Sequence, residues 1–233
     1  MKKSKDLNFS VIIPVYNEVN TLGEIIRRVQ ATGLVNEILV VDDGSSDGTR
    51  KILLDLEKKG AITAVFHASN QGKGSAIRSG LEKVKGNLIL IQDADLEYDP
   101  RDYPALLAPI QEGLADVVYG SRFLGGPRRP ILFWNMVANK ILTLTTNILY
   151  NNILTDMETG YKLFKKEILN NIHLRAKRFE FEPEFTAKIL KEKVRIYEVP
   201  IRFTPRFYQE GKKIKMKDAF VAMWALIKYR FVD

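Results

Sequence analysis

Asp93-Ala94-Asp95 places two carboxylates two residues apart, just past the apolar run Leu88-Ile89-Leu90-Ile91. If the chain turns there, both side chains can converge on one divalent cation. Hard ions such as Mg²⁺ or Mn²⁺ take oxygen ligands and are commonly shared with substrate phosphates. Glu97 is the third candidate ligand. The plainer reading of the same residues is a pair of aspartates capping a turn.

Asp42-Asp43-Gly44-Ser45-Ser46-Asp47-Gly48-Thr49 follows a second apolar run, Glu37-Ile38-Leu39-Val40-Val41. Its glycines permit a sharp turn and close backbone approach to a ligand. A carboxylate here can accept hydrogen bonds from a base or ribose. A helix N-cap at Ser46 or Asp47 is the alternative, and both can hold together. Asn70-Gln71-Gly72-Lys73-Gly74-Ser75 opens a helix and can bring backbone N–H groups and a lysine to a phosphate. Its spacing is not that of GxxxxGK[ST], and no GxGxxG follows the first apolar run.

These residues need a scaffold that ends several strands at one edge. Phe9–Pro14, Glu37–Val41, residues 62–67, Leu88–Ile91 and residues 116–119 read as strands that are mostly apolar throughout. Amphipathic helical periodicity separates the early ones, with Leu22, Ile25, Ile26 and Val29 on one face and Ile52, Leu53 and Leu56 on another. Strands of this kind predict an α/β fold with a mostly parallel sheet covered on both faces. Ligands then bind beyond the carboxyl ends of the strands. The unusual polar residues stand there: Pro14–Glu18, Asp42–Gly44, Asn70–Gly74, Asp93–Glu97 and Gly120–Arg122. The second half predicts a helix from Ile131, a strand at residues 161–164, a helix near residues 184–190, a strand at residues 195–203 and a final helix. No internal repeat or low-complexity linker divides the chain, so one domain over residues 1–233 is expected.

The chain has 233 residues, no cysteine and a formal charge of +8. Disulfides and thiolate metal sites are excluded, and anionic partners are favoured. Arg202, Arg206, Lys212, Lys213, Lys215 and Lys217 crowd one stretch opposed only by Glu210. No run reaches the ~20 apolar residues of a membrane-spanning helix. The charged start, Met1 to Asp6, leads straight into a strand without an export signal, predicting a cytoplasmic location. In the last helix, Phe220, Met223, Trp224, Ile227 and Phe231 recur at helical spacing beside Lys215, Lys217, Lys228 and Arg230. Such an amphipathic stripe suits the surface of an anionic membrane, or packing on the core or another subunit.

Taken in order, Val11-Ile12-Ile13-Pro14-Val15-Tyr16-Asn17-Glu18, Val41 to Thr49, Asn70 to Gly74, Gln92-Asp93-Ala94-Asp95 and Gly120-Ser121-Arg122 resemble family 2 of the inverting glycosyltransferases, within it the dolichol-phosphate mannose synthase group. The resemblance runs from about Phe9 to Lys228. It implies a GT-A fold with a nucleotide-sugar half, about residues 8–122, and an acceptor half, about residues 123–233. It implies that Pro14, Tyr16, Glu18, Val41, Asp42, Lys73, Asp93, Ala94, Arg206 and Lys212 contact the nucleotide sugar. Asp93, Asp95 and Glu97 would hold Mg²⁺ or Mn²⁺, with Glu97 standing where the group often has glutamine. Arg122, Arg128 and Arg129 would meet the acceptor, and Asp156, in Thr155-Asp156-Met157-Glu158-Thr159-Gly160-Tyr161, matches a family motif. Relatives often continue into transmembrane helices, which this chain lacks, so peripheral association with the cytoplasmic face of a membrane is expected.

The expected reaction is in-line attack by an acceptor oxygen on the anomeric carbon of a GDP- or UDP-sugar, with inversion and loss of nucleoside diphosphate. The metal at Asp93 and Asp95, with a nearby arginine or lysine, would stabilise the leaving charge, and Asp95 and Arg122 are the catalytic residues expected there. A polyprenyl or dolichyl phosphate arrives as an anion and needs no strong base. A sugar hydroxyl needs one, and Asp156 is then the first candidate. The competing classes are a nucleic-acid binder, for which no recognition motif is present, and a sugar nucleotidyltransferase, for which the glycine-rich loop after strand one is missing.

Overall fold

The computed structural model describes residues 7–206 and 216–232. Lys212, Lys213 and Lys215 lie outside them.

The first half alternates strand and helix as the sequence requires. In order come β1 (Phe9–Val15), α1 (Leu22–Ala31), β2 (Glu37–Asp42), α2 (Thr49–Lys58), β3 (Thr63–Phe66), α3 (Lys73–Lys83) and β4 (Leu88–Ile91). Then follow α4 (Tyr103–Gln111), β5 (Val117–Ser121), α5 (Phe133–Tyr150), β6 (Lys162–Lys165), α6 (Phe181–Lys191), β7 (Ile196–Pro200) and α7 (Met216–Phe231). One sheet holds all seven strands in the order β3-β2-β1-β4-β6-β5-β7. Only β6 runs antiparallel to its neighbours β4 and β5; the other pairs are parallel. The sheet is therefore mixed, and strands from both halves of the chain share it.

Side chains on a strand alternate between faces, and here both faces are apolar. Val11, Ile13, Val40 and Leu90 pack with α1 and α4 in one core layer. Ile12, Leu39, Val41 and Ile91 pack with α3, α5, α6 and α7 in the other. Burial on both sides explains why these strands read as unbroken apolar runs.

Two elements differ from the sequence reading. Helix α4, between the fourth and fifth strands, is absent from that reading because Pro104 and Pro109 interrupt the pattern. Pro104 stands in its first turn, where no N–H is missed, and Tyr103, Leu106, Leu107 and Ile110 are buried. Helix α7 is not amphipathic in the expected sense. Ala222, Leu226 and Tyr229 pack inward, while Phe220, Trp224, Ile227 and Phe231 are exposed. It is apolar on two faces. Its inner face lies against α5 and α6, with Tyr150 Oη donating to Leu226 O at 2.8 Å.

Candidate active site

Strands β1, β2, β4 and β5 point the same way, so their carboxyl ends form one rim. Val15 pairs with Asp42 across that rim, which puts Asp42 and Asp95 at the same edge. Pro14 and Val41 are themselves paired and buried inside the sheet. Tyr16, just beyond β1, is 36% exposed.

Asp42 is fully buried and accepts from Ser45 N at 3.0 Å and Arg50 Nε at 2.7 Å. Asp43 is structural. Its carboxylate accepts from Gln71 N at 2.9 Å, Gly72 N at 2.7 Å and His67 Nδ1 at 2.8 Å. Ser75 N donates to Lys177 O at 3.0 Å. Of the phosphate-cradling N–H groups expected at residues 70–75, those of Gln71, Gly72 and Ser75 are thus engaged within the protein. Gly72, at φ +102°, is required there because a Cβ would collide with the backbone of Lys177. The N-cap of α2 is Gly48, at φ +104°, not Ser46 or Asp47; Asp47 lies in the turn before it and accepts from Thr49 N at 2.9 Å and Val19 N at 3.1 Å.

The acidic residues after β4 are held by cations from distant parts of the chain. Lys73 Nζ lies 2.8 Å from Asp93 Oδ1 and 2.9 Å from Glu182 Oε1. Arg206 Nη2 lies 3.0 Å from Glu18 Oε1 and 3.1 Å from Asp95 Oδ2, and its backbone N donates to Glu97 Oε1 at 2.6 Å. Burial, then the charges of Asp93 and Glu97, push the Asp95 carboxyl up to about 7. Burial opposes the charge on Lys73, yet Asp93 and Glu182 hold its pKa well above the ordinary value.

Among the described residues no three acidic or histidine side chains gather into a metal cage. Asp93 and Asp95 nevertheless fit a hard cation that takes its remaining oxygens from a diphosphate, as Mg²⁺ commonly does. Burial and the neighbouring carboxylates disfavour charge on Asp95, a penalty that such an ion would relieve. Glu97 faces the Arg206 backbone rather than completing a triad.

At the far end of the rim, Arg122 follows β5 and is clamped by Asp156. The Asp156 carboxylate accepts from Arg122 N at 3.0 Å, Nε at 2.7 Å and Nη2 at 2.6 Å. The guanidinium carbon also lies 5.2 Å from the Phe203 ring centroid. Despite burial, Asp156 raises the Arg122 pKa, so its charge is fixed. Arg128 Nη1 donates to Arg122 O at 3.1 Å, and Arg129 N donates to Phe203 O at 2.9 Å.

Several residues near this rim are given no role of their own by the sequence. Glu182 opens α6 in Phe181-Glu182-Pro183-Glu184, where an acid reads as ordinary first-turn chemistry. Buried Gln92 accepts from Tyr103 Oη at 2.8 Å and Tyr161 Oη at 2.6 Å, tying these two buried rings to the residue before Asp93. A Cβ at Gly160 would collide with the Asp93 carboxylate, so the loop after Asp156 presses directly on that side chain. Glu158 in the same loop is pushed up to about 8 by burial and by Glu182.

The family model described as Glycosyl transferase family 2 matches residues 10–172. A glycosyltransferase named AglJ from Haloferax volcanii is 30% identical over 84% of this chain and 63% of its own length. A dolichol-phosphate mannosyltransferase from Pyrococcus furiosus is 31% identical over 92% of this chain and 61% of its own. The chain therefore spans little more than three fifths of these two relatives. A UDP-N-acetylglucosamine--dolichyl-phosphate N-acetylglucosaminyltransferase from Methanococcus voltae is 30% identical over 93% of this chain and 94% of its own. Among solved structures, glucosyl-3-phosphoglycerate synthase from Mycobacterium tuberculosis, crystallised with Mn²⁺, UDP and glucosyl-3-phosphoglycerate, superposes with TM-score 0.75 at 18% identity. The match covers 98% of this chain and 81% of that one. The shared architecture is the expected GT-A fold.

Proposed function

The chain belongs to glycosyl transferase family 2, and from that premise we propose that it moves a hexose, mannose or glucose, from a GDP- or UDP-sugar to a polyprenyl or dolichyl phosphate. The observation that carries this reading is the two-ended rim. Paired carboxylates Asp93 and Asp95 stand at one end, and a permanently charged, carboxylate-clamped Arg122 stands at the other. The relatives named for dolichyl phosphate chemistry support the same acceptor class.

Asp93 and Asp95 are the residues that would hold Mg²⁺ or Mn²⁺, which would supply Lewis-acid stabilisation of charge on the leaving diphosphate. Lys73 and Arg206, already beside these carboxylates, bring further positive charge to the departing phosphates. Glu18 steers Arg206, and Tyr16 and Asp42 border the nucleotide. Arg122, with Arg128 and Arg129 in the next loop, orients the acceptor phosphate for in-line attack. Both Asp156 oxygens accept from Arg122, so Asp156 acts as an orienting group, not as a base. That engagement favours an acceptor that is already anionic over a sugar hydroxyl.

The acceptor also requires access to lipid. No described helix is long and apolar enough to cross a membrane. Helix α5 exposes Phe133, Trp134, Ile141, Leu144 and Ile148 and begins just after the arginine loop; α7 exposes Phe220, Trp224, Ile227 and Phe231 beside it. Lys140, Lys228 and Arg230 stand among them. Apolar side chains with a basic fringe suit peripheral attachment to an anionic membrane surface.

The test is transfer of labelled hexose from a panel of GDP- and UDP-sugars to polyprenyl phosphate in detergent, with Mn²⁺ or with EDTA. Metal-dependent formation of a lipid-linked sugar is expected. Transfer to soluble glycans but never to the lipid phosphate would replace this acceptor assignment.

A further inference from the structure

Glu198, on β7, lies outside every motif that marks the rim, yet its carboxylate is aimed at the loop that carries Asp156. It accepts from Thr155 N at 3.0 Å and 2.9 Å through its two oxygens, from Thr155 Oγ1 at 3.0 Å and from Asp156 N at 3.2 Å. Thr155 Oγ1 is also 2.6 Å from Ser121 Oγ, which in turn accepts from Phe123 N at 3.1 Å. The strands set this geometry: β7 pairs with β5 so that Glu198 faces Tyr119, Val199 faces Gly120 and Pro200 faces Ser121. One carboxylate therefore ties together the residues on both sides of Arg122 and the backbone of its clamp.

A charge is an expensive way to fasten a loop. Burial raises the Glu198 pKa, and the neighbouring Asp156 charge raises it further. No ion pair to Glu198 forms among the described residues. Two carboxylates are thus crowded together with one guanidinium, that of Arg122, satisfying only the second. What the arrangement gains is direction. With Thr155 N and Asp156 N both fixed on Glu198, the Asp156 side chain is left facing Arg122 with both oxygens. A neutral loop packed on apolar side chains would close the same gap without setting that angle.

We propose that Glu198 is a positioning residue that sets acceptor affinity: it holds the Thr155-Asp156 turn so that Asp156 presents Arg122 to the acceptor phosphate. This rests on the transferase reading above and concerns only its acceptor end. Glu198 does not touch the donor carboxylates, which Lys73 and Arg206 hold independently. Its effect must therefore fall on one substrate and spare the other.

The experiment is steady-state kinetics of Glu198→Ala and Glu198→Gln, varying polyprenyl phosphate and nucleotide sugar separately, with folding checked by circular dichroism. Glu198→Ala is expected to raise KM for polyprenyl phosphate by about tenfold, the effect of one misplaced hydrogen-bonded charge. KM for the nucleotide sugar stays within about twofold. Glu198→Gln, which keeps one accepting oxygen, recovers part of the loss. In an Asp156→Ala background, Glu198→Ala has no further effect on acceptor KM, because the two act through one guanidinium. A parent-like acceptor KM in folded Glu198→Gln and Glu198→Ala overturns the proposal, as does an equal rise for both substrates. A parent that transfers to no polyprenyl phosphate overturns the acceptor assignment, and this proposal with it.

Discussion

Arg206 Nη2 stands 3.1 Å from Asp95 Oδ2 and 3.0 Å from Glu18 Oε1, so one guanidinium closes the gap between the end of β1 and the end of β4. Asp95→Ala removes half of the carboxylate pair without touching the core. It is expected to lower turnover by at least about a hundredfold, the scale of losing one preorganised charge at the leaving group. Circular dichroism and nucleotide-free melting should stay near the parent's. Near-normal turnover would remove the metal assignment.

Asp156→Asn tests the other end. The Arg122 side chain is only 11% exposed and its charge is permanent, so removing the negative charge beside it leaves that charge poorly compensated. Breaking a buried pair costs about 3–5 kcal/mol when no water replaces the partner. Here Arg122 keeps part of its hydrogen bonding through the remaining amide oxygen, so about 2–3 kcal/mol is expected. Chemical denaturation measures it. Turnover with polyprenyl phosphate should fall while nucleotide-sugar affinity, read by calorimetry, is retained.

Asp93 and Asp95 are legible in the sequence because charged residues after the fully apolar Leu88–Ile91 leave few structural readings. The same logic locates Asp42 and Arg122. Lys73 is visible too, but not its partner: Glu182 sits in the first turn of α6, where acids are routine. Glu198 is hidden by alternation, since a charge between Tyr197 and Val199 reads as the solvent-facing position of an edge strand. Only the pairing of β7 with β5 turns it toward Thr155. Helix α4 is masked by its prolines. In α7, spacing finds the exposed Phe220, Trp224, Ile227 and Phe231, but the small Ala222 and Ala225 conceal a second apolar face that packs inward.

Those exposed side chains give a separable prediction. Trp134 is 71% exposed and Trp224 65% exposed, so replacing either should change folding stability by no more than about 0.5 kcal/mol. Burying either one in a lipid interface contributes about 2 kcal/mol. Flotation with vesicles containing phosphatidylglycerol should therefore show Trp134→Ala/Trp224→Ala binding weakened by at least about tenfold, with unchanged melting. Equal flotation of parent and variant would place lipid contact elsewhere.

The final prediction concerns the sheet that carries Arg122. Asp116, just before β5, lies 2.6 Å from Lys165 Nζ on β6 and 2.8 Å from Arg195 Nε before β7. Arg195, helped by Lys165, lowers its carboxyl to about 2. A carboxyl held below its unfolded value stabilises the fold above the unfolded pKa, about 4, and loses that contribution as pH falls toward about 2. Because Arg195 is 55% exposed, screening reduces the contribution to about 1 kcal/mol. Asp116→Asn should therefore be less stable than the parent by about that amount at about pH 7. The gap should narrow between about pH 4 and pH 3, as the carboxyl of the unfolded parent takes up its proton. Urea denaturation at about pH 7, 4 and 3 measures both curves. A gap that stays constant or widens toward acid would show that Asp116 does not anchor the strands through its charge.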